Sequence, residues 1–142
     1  MGMFRPMPLK KKEHVKGALG ISERLLDSII KASKSTYPNE FGAVLRKNRD
    51  GVIDELLMLP GTISGNRHAE FRFYMLHADR NVVGTVHSHP SPYPIPSDAD
   101  SSLFSNFGYC HIIIAYPYNE NSWIAYDRNS KRITLKVMAS KQ

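Results

Sequence analysis

Cysteine is almost absent. The 142 residues contain one, Cys110, so no intrachain disulfide can form, and zinc patterns that need at least two thiolates are excluded. Zinc-dependent base deamination is not expected on the same ground, since those enzymes take two cysteines at the metal. Cys110 sits in Tyr109-Cys110-His111-Ile112-Ile113-Ile114, which reads as a buried strand, and it is expected to be a packed thiol and not a nucleophile. Long apolar runs are missing as well. Nothing approaches the roughly 18 residues that span a bilayer, and the N-terminus is mixed and basic, without the apolar segment of a secretory signal. A cytoplasmic protein with no membrane partner is the expectation.

Acidic residues are outnumbered, 13 against 19 lysines and arginines, for a formal charge of +6. Part of the excess lies early, in Arg5, Lys10, Lys11, Lys12 and Lys16 against Glu13. Such an arm can hold phosphate or an acidic partner, but no aromatic platform is interleaved with the lysines, as single-strand nucleic acid would want. Residues 1–16 are therefore read as a poorly ordered, solvated arm and 17–142 as one domain. Nucleic acid is not the expected partner.

The apolar spacing of Leu25, Leu26, Ile29 and Ile30 predicts a helix over 21–36, with Ser22 as N-cap and Pro38 beyond its end. Strands are predicted over 41–46 and 52–59, joined by the turn Lys47-Asn48-Arg49-Asp50-Gly51. A polar loop over 61–67 and strands over 69–75 and 81–89 follow. Prolines at 90, 92, 94 and 96 forbid regular structure there. A short helix over 97–107 and strands over 111–116, 123–126 and 133–137 complete an α+β chain around one mixed, mostly antiparallel sheet.

Within that frame stand Gly84-Thr85-Val86-His87-Ser88-His89-Pro90 and Pro96-Ser97-Asp98-Ala99-Asp100. Residues i and i+2 of a strand share a face, so His87 and His89 present two imidazoles together. The proline loop returns the chain, and Asp100 falls in the first turn of the next helix. Two imidazole nitrogens and one carboxylate suit zinc, and three protein ligands leave a position open for catalysis. Taken singly, each residue has another reading. A strand histidine can be packed, Ser97 is a natural N-cap, and an acid in the first turn suits the helix dipole without any metal.

The set His87, His89, Ser97 and Asp100, spaced H-x-H-x7-S-x2-D, resembles the JAMM motif of the MPN-domain metalloproteases, whose members include proteasome-lid and endosomal deubiquitinases. The family's upstream glutamate finds a counterpart in Pro38-Asn39-Glu40-Phe41-Gly42-Ala43-Val44-Leu45. The resemblance implies a deaminase-like α/β/α sandwich and a JAMM/MPN domain over 17–142. It further implies one Zn2+ on His87, His89 and Asp100, Glu40 as general acid and base, and Ser97 as donor to the oxyanion. From the sequence alone Glu55 or Glu70 could also serve as base. His14, His68, His77 and His111 fall outside the motif and are not expected as ligands. The eukaryotic deubiquitinases carry long insertions that this chain lacks, so it resembles the compact archaeal and bacterial members. The implied reaction is cleavage of a ubiquitin-like modifier or sulfur-carrier protein, or of its conjugates, after a C-terminal Gly-Gly. Such a tail can enter a narrow slot and pair along a strand edge; 61–69 and 90–96 are the expected rim. A non-catalytic MPN scaffold and a zinc amide hydrolase acting on a small molecule are the alternatives.

Overall fold

A computed structural model of the protein describes residues 17–18, 20–58 and 80–139. The basic arm, the loop expected over 61–67, the strand expected over 69–75, and His14, His68, Glu70 and His77 lie outside the described residues.

Helix α1 (Glu23–Thr36) buries Leu25, Leu26 and Ile29 on one face, and the Ser22 side chain caps it by accepting from the Leu25 N–H at 3.1 Å. The helix was expected from Ile21, but Gly20–Ser22 instead forms a short strand, β1, parallel to both of its neighbours. Tertiary burial decides this, because Ile21 is fully enclosed in the core. Strands β2 (Gly42–Lys47) and β3 (Val52–Leu57) pair antiparallel. Their turn is held by the Asn48 side chain, whose oxygen accepts from the Asp50 and Val52 N–H groups. Gly51 takes a φ of 84° there, a conformation that a side chain resists.

Strand β4 (Val82–His89) leads through helix α2 (Asp98–Asn106) to β5 (His111–Ala115), which lies parallel to β4. Then come β6 (Trp123–Tyr126), β7 (Arg132–Ile133) and β8 (Lys136–Met138). The described strands form one mixed sheet of order β7-β6-β5-β4-β2-β3-β1-β8. The single strand expected over 133–137 is thus two strands on opposite edges of the sheet. Only Thr134 and Leu135 separate them, and so short a link spans roughly 10 Å. Eight strands laid flat at about 4.8 Å spacing would put the edges over 30 Å apart. The sheet must therefore curl until its two edges approach each other.

Strand alternation sorts the core into two layers. Ile112 and Ile114 pack with α1, together with Ala43, Leu45 and Ile53. Ile113 and Val44 face the other way and pack with Leu103, Phe104 and Phe107 of α2 and the turn after it. Helices on both faces of one mixed sheet are the expected α+β sandwich, and β4 runs through its middle.

Candidate metal centre

The last residues of β4 divide between the two faces of the sheet. Val86 and Ser88 point into the α1 side, where both are fully buried. His87 and His89 point to the α2 side, with ring centroids 5.0 Å apart. Ser88 does more than fill space. Its hydroxyl oxygen accepts from the Phe41 N–H at 2.8 Å, and its own N–H donates to the Phe41 carbonyl at 2.9 Å. This staple, with Gly42 in register against His87, fixes Glu40 beside the histidines.

The loop 90–96 is irregular, as its prolines require, and it is tied from beneath. The Ser91 carbonyl accepts from the Tyr116 N–H, the Tyr93 carbonyl faces His89 Nδ1 at 3.1 Å, and the Pro94 carbonyl accepts from Tyr126 Oη. The chain then enters α2 through a capping box. Ser97 Oγ accepts from the Asp100 N–H at 3.1 Å, and the Asp100 carboxylate accepts from the Ser97 N–H at 2.9 Å. The capping role of Ser97 and its place in the metal motif are thus one arrangement: the cap holds Asp100 in the rotamer that faces the imidazoles.

His87 Nε2 lies 3.2 Å from Asp100 Oδ1 and 3.2 Å from His89 Nε2, and His89 Nε2 lies 3.3 Å from Asp100 Oδ2. Because His89 Nδ1 faces a carbonyl oxygen, it keeps its hydrogen there, and Nε2 is the nitrogen that offers a lone pair to a metal once it gives up its proton. The two Nε2 atoms and the Asp100 carboxylate thus come together in one cluster, with a ligand atom of each residue within 4.8 Å of the others. Ligand atoms at about 2.0–2.1 Å from a tetrahedral zinc stand about 3.3 Å from one another, close to the distance between the two Nε2 atoms and to the distance from each of them to one oxygen of Asp100. The donor set and its spacing fit Zn2+.

The electrostatics agree. Burial pushes the Asp100 carboxyl up, but hydrogen bonds from His87 and His89, the charge of His87 and the Ser97 N–H outweigh it and hold the group well below the usual carboxylate range. Burial lowers the pKa of His89, yet the hydrogen bonds to Asp100 and the Tyr93 carbonyl, with the charges of Asp100 and Glu40, leave it raised. The cluster therefore draws positive charge to its centre.

Glu40 is half-buried, and its charge is felt at both His89 and Tyr118. Glu55 is not brought to the site. It pairs with Arg46 at the far end of β2, four residues from Gly42, or about 13 Å along the strand. Cys110 is a packed thiol, its pKa pushed up to about 12 by burial. His111 is fully enclosed, stacked on Phe104 at 4.3 Å, and accepts from Thr85 at Nδ1. The two residues that sequence reasoning missed are Ser88 and Tyr118, whose hydroxyl donates to the His89 carbonyl at 3.1 Å. A polar residue between two apolar-flanked histidines was the available signal for Ser88. Tyr118 offered none.

The sequence profile described as prokaryotic homologues of the JAB domain matches residues 22–128. A protein of Haloferax volcanii described as a probable metalloprotease is 37% identical over 129 residues, spanning 84% of this chain and 80% of that protein. A JAB1/MPN domain protein from Archaeoglobus fulgidus is 45% identical and superposes with a TM-score of 0.67, covering 83% of this chain and 97% of the other. A further solved structure, reported as JAMM, a metalloprotease-like zinc site in the proteasome and signalosome, is 42% identical with a TM-score of 0.68. It covers 85% of this chain and 98% of its own.

Proposed function

The chain belongs to the prokaryotic JAB-domain family of JAMM/MPN metalloproteases, and from that premise we propose that it is a zinc-dependent isopeptidase that cleaves a small ubiquitin-like or sulfur-carrier protein after its C-terminal Gly-Gly. The observation that carries the hydrolytic part is the convergence of His87, His89 and Asp100 at zinc-ligand separations, with Glu40 beside them. Bound by these three residues, zinc supplies a Lewis acid that makes water nucleophilic near neutral pH.

The chain's own residues do the rest. Glu40 takes a proton from the attacking water as its oxygen bonds to the Gly carbonyl carbon. When the C–N bond breaks, Glu40 returns that proton to the leaving amine, so the products are a free Gly carboxylate and a lysine amine. Ser97 Oγ accepts from the Asp100 N–H, and its own hydrogen is left to donate to the carbonyl oxygen as negative charge develops there.

Selectivity must come from access, because activated water attacks any amide that reaches it. The tied-down loop 90–96 makes a stiff wall whose carbonyls are turned inward and whose Tyr93 and Ile95 side chains stand outside, 67% and 52% exposed. Two glycines pass such a wall more easily than bulky residues. β4 is flanked on both sides, by β2 and β5, so an extended tail finds no free edge on it. The other expected rim, 61–69, lies outside the described residues. The +6 charge favours an acidic modifier body and a rate that falls as salt rises.

The test is a panel compared by kcat/KM on protein of measured zinc content. It contains a Gly-Gly conjugate of a small β-grasp protein, its Gly→Ala variants, and a generic peptide amide. Cleavage of the Gly-Gly conjugate alone is expected. Equal cleavage of all three would reject the modifier and leave a general amide hydrolase.

A further inference from the structure

Beyond His89, the sheet edge carries three tyrosines that the reaction described above does not use. Tyr118 is the floor, 1% exposed and anchored to the His89 carbonyl. The Tyr37 and Tyr116 rings rest on it, their centroids 6.0 and 5.7 Å from its ring and 5.0 Å from each other. Both stand nearly half exposed, at 46% and 45%. Neither position is accidental. Tyr37 caps the C-terminus of α1 three residues before Glu40. Tyr116 is held by its N–H, which reaches the carbonyls of His89 and Ser91 at 3.2 and 3.0 Å.

The order of groups across this edge gives the site a direction. Ser97 and α2 stand on one side of the metal cluster, where Ser97 binds Asp100. Glu40 is close enough to act on both His89 and Tyr118, and Tyr118, which packs in the core layer of α1 on the opposite face from α2, carries the two exposed rings. The group that protonates the leaving nitrogen must lie on the leaving side of the scissile bond. The side of the rings is therefore the side of the leaving amine.

We propose that Tyr37 and Tyr116 form the subsite for the leaving group and receive the methylene stem of the lysine whose ε-nitrogen is released. This rests on the reading of the chain as an isopeptidase. An alkyl stem packs on ring faces as lysine stems pack on other apolar surfaces. The same faces favour the ammonium that forms when the amine departs with the proton from Glu40. A residue joined through its α-nitrogen presents no such stem beside the scissile bond. The two rings therefore discriminate for ε-linked conjugates against linear fusions.

The test uses one modifier joined through its terminal glycine either to the ε-nitrogen of a lysine peptide or to the α-amine of the same peptide. Tyr37→Ala and Tyr116→Ala are each expected to lower kcat/KM for the ε-linked substrate about tenfold, to change the α-linked one less than about twofold, and to be rescued by phenylalanine, which keeps the ring face. Equal losses on both linkages would reduce the tyrosines to structural residues and overturn the proposal. A second measurement does not need turnover. A Gly-Gly-(Nε)-lysine peptide is titrated into zinc-loaded Glu40→Gln protein with and without Tyr37→Ala, and weaker binding of about tenfold is expected with the alanine. Unchanged affinity, or no binding to the tyrosine-bearing protein, overturns the subsite. A chain that cleaves neither linkage yet binds the branched peptide through its tyrosines would overturn the isopeptidase reading and leave the subsite standing.

Discussion

At Ser97 one hydroxyl accepts from the Asp100 N–H while its hydrogen stays available to a substrate oxygen, and substitution separates the two roles. Loss of an N-cap costs about 1 kcal/mol of stability. Loss of an oxyanion donor costs on the order of 10²–10³ in kcat. Ser97→Ala is expected to show both, read as a lowered melting temperature and a lowered kcat on the same preparation. A stability loss with normal kcat would leave Ser97 a cap alone. Glu40 has one assigned role and lies outside the metal cluster. Glu40→Gln should keep its zinc and lose about 10²–10⁴-fold in turnover. Zinc content and kcat, measured together, check this. Near-full turnover would move the base to Glu70, since Glu55 is held at the wrong end of β2 by Arg46.

At the scale of elements, the site depends on how closely β4 is approached on either side. The chain entering β5 crosses β4 at Gly84, where the Tyr109 and Cys110 N–H groups both reach the Val83 carbonyl. A methyl group at Gly84 would sit 1.8 Å from the Cys110 carbonyl oxygen. Backbone, unlike a side-chain tip, cannot swing aside. Gly84→Ala is therefore expected to destabilise by about 1–3 kcal/mol, as overpacked cores do. It should also weaken zinc binding, because the parallel register of β5 against β4 backs His87 and His89. Chemical denaturation and a zinc titration on the variant measure the two effects. An unperturbed melting curve would mean that β5 can shift without cost. On the other flank, the hydrogen bonds between Ser88 and Phe41 perform the same service for Glu40.

For the molecule as a whole, the buried His111 predicts acid sensitivity. Burial is the main cause that pushes its pKa down to about 3. The charges of His87 and Arg128 add to this, and the nearby Phe104 and Gly108 carbonyls oppose it without reversing it. The unfolded chain takes up a proton near the ordinary value of 6.5, while the folded chain does not. The contribution is thus fully present above about pH 6.5 and is lost as pH falls toward 3, with a limiting slope of about 1.4 kcal/mol per pH unit. Unfolding free energies at several pH values should show this slope, and His111→Leu should flatten it even if it costs stability at neutral pH. An unchanged slope would mean that the imidazole is protonated in place.

The stretch from His87 to Asp100 was legible because its physics is local. Strand alternation puts two histidines on one face, prolines turn the chain, and a cap fixes the rotamer of the acid three residues on. Helix α1, the hairpin turn at Asn48 to Gly51 and the buried strand at Ile112, Ile113 and Ile114 were legible for the same reason. Contacts between distant segments were not. Ser88 meets Phe41 across 47 positions, and Tyr37 meets Tyr116 only because the end of α1 converges on the end of β5. The apolar run near the C-terminus divides between opposite sheet edges, and Gly20–Ser22 leaves its helix to become a strand. Covalent neighbours are bound by spacing and dihedral preference, which a sequence states directly. The pairing of remote segments is decided by burial and hydrogen bonding summed over the whole curled sheet, and that sum exists only once the sheet has closed.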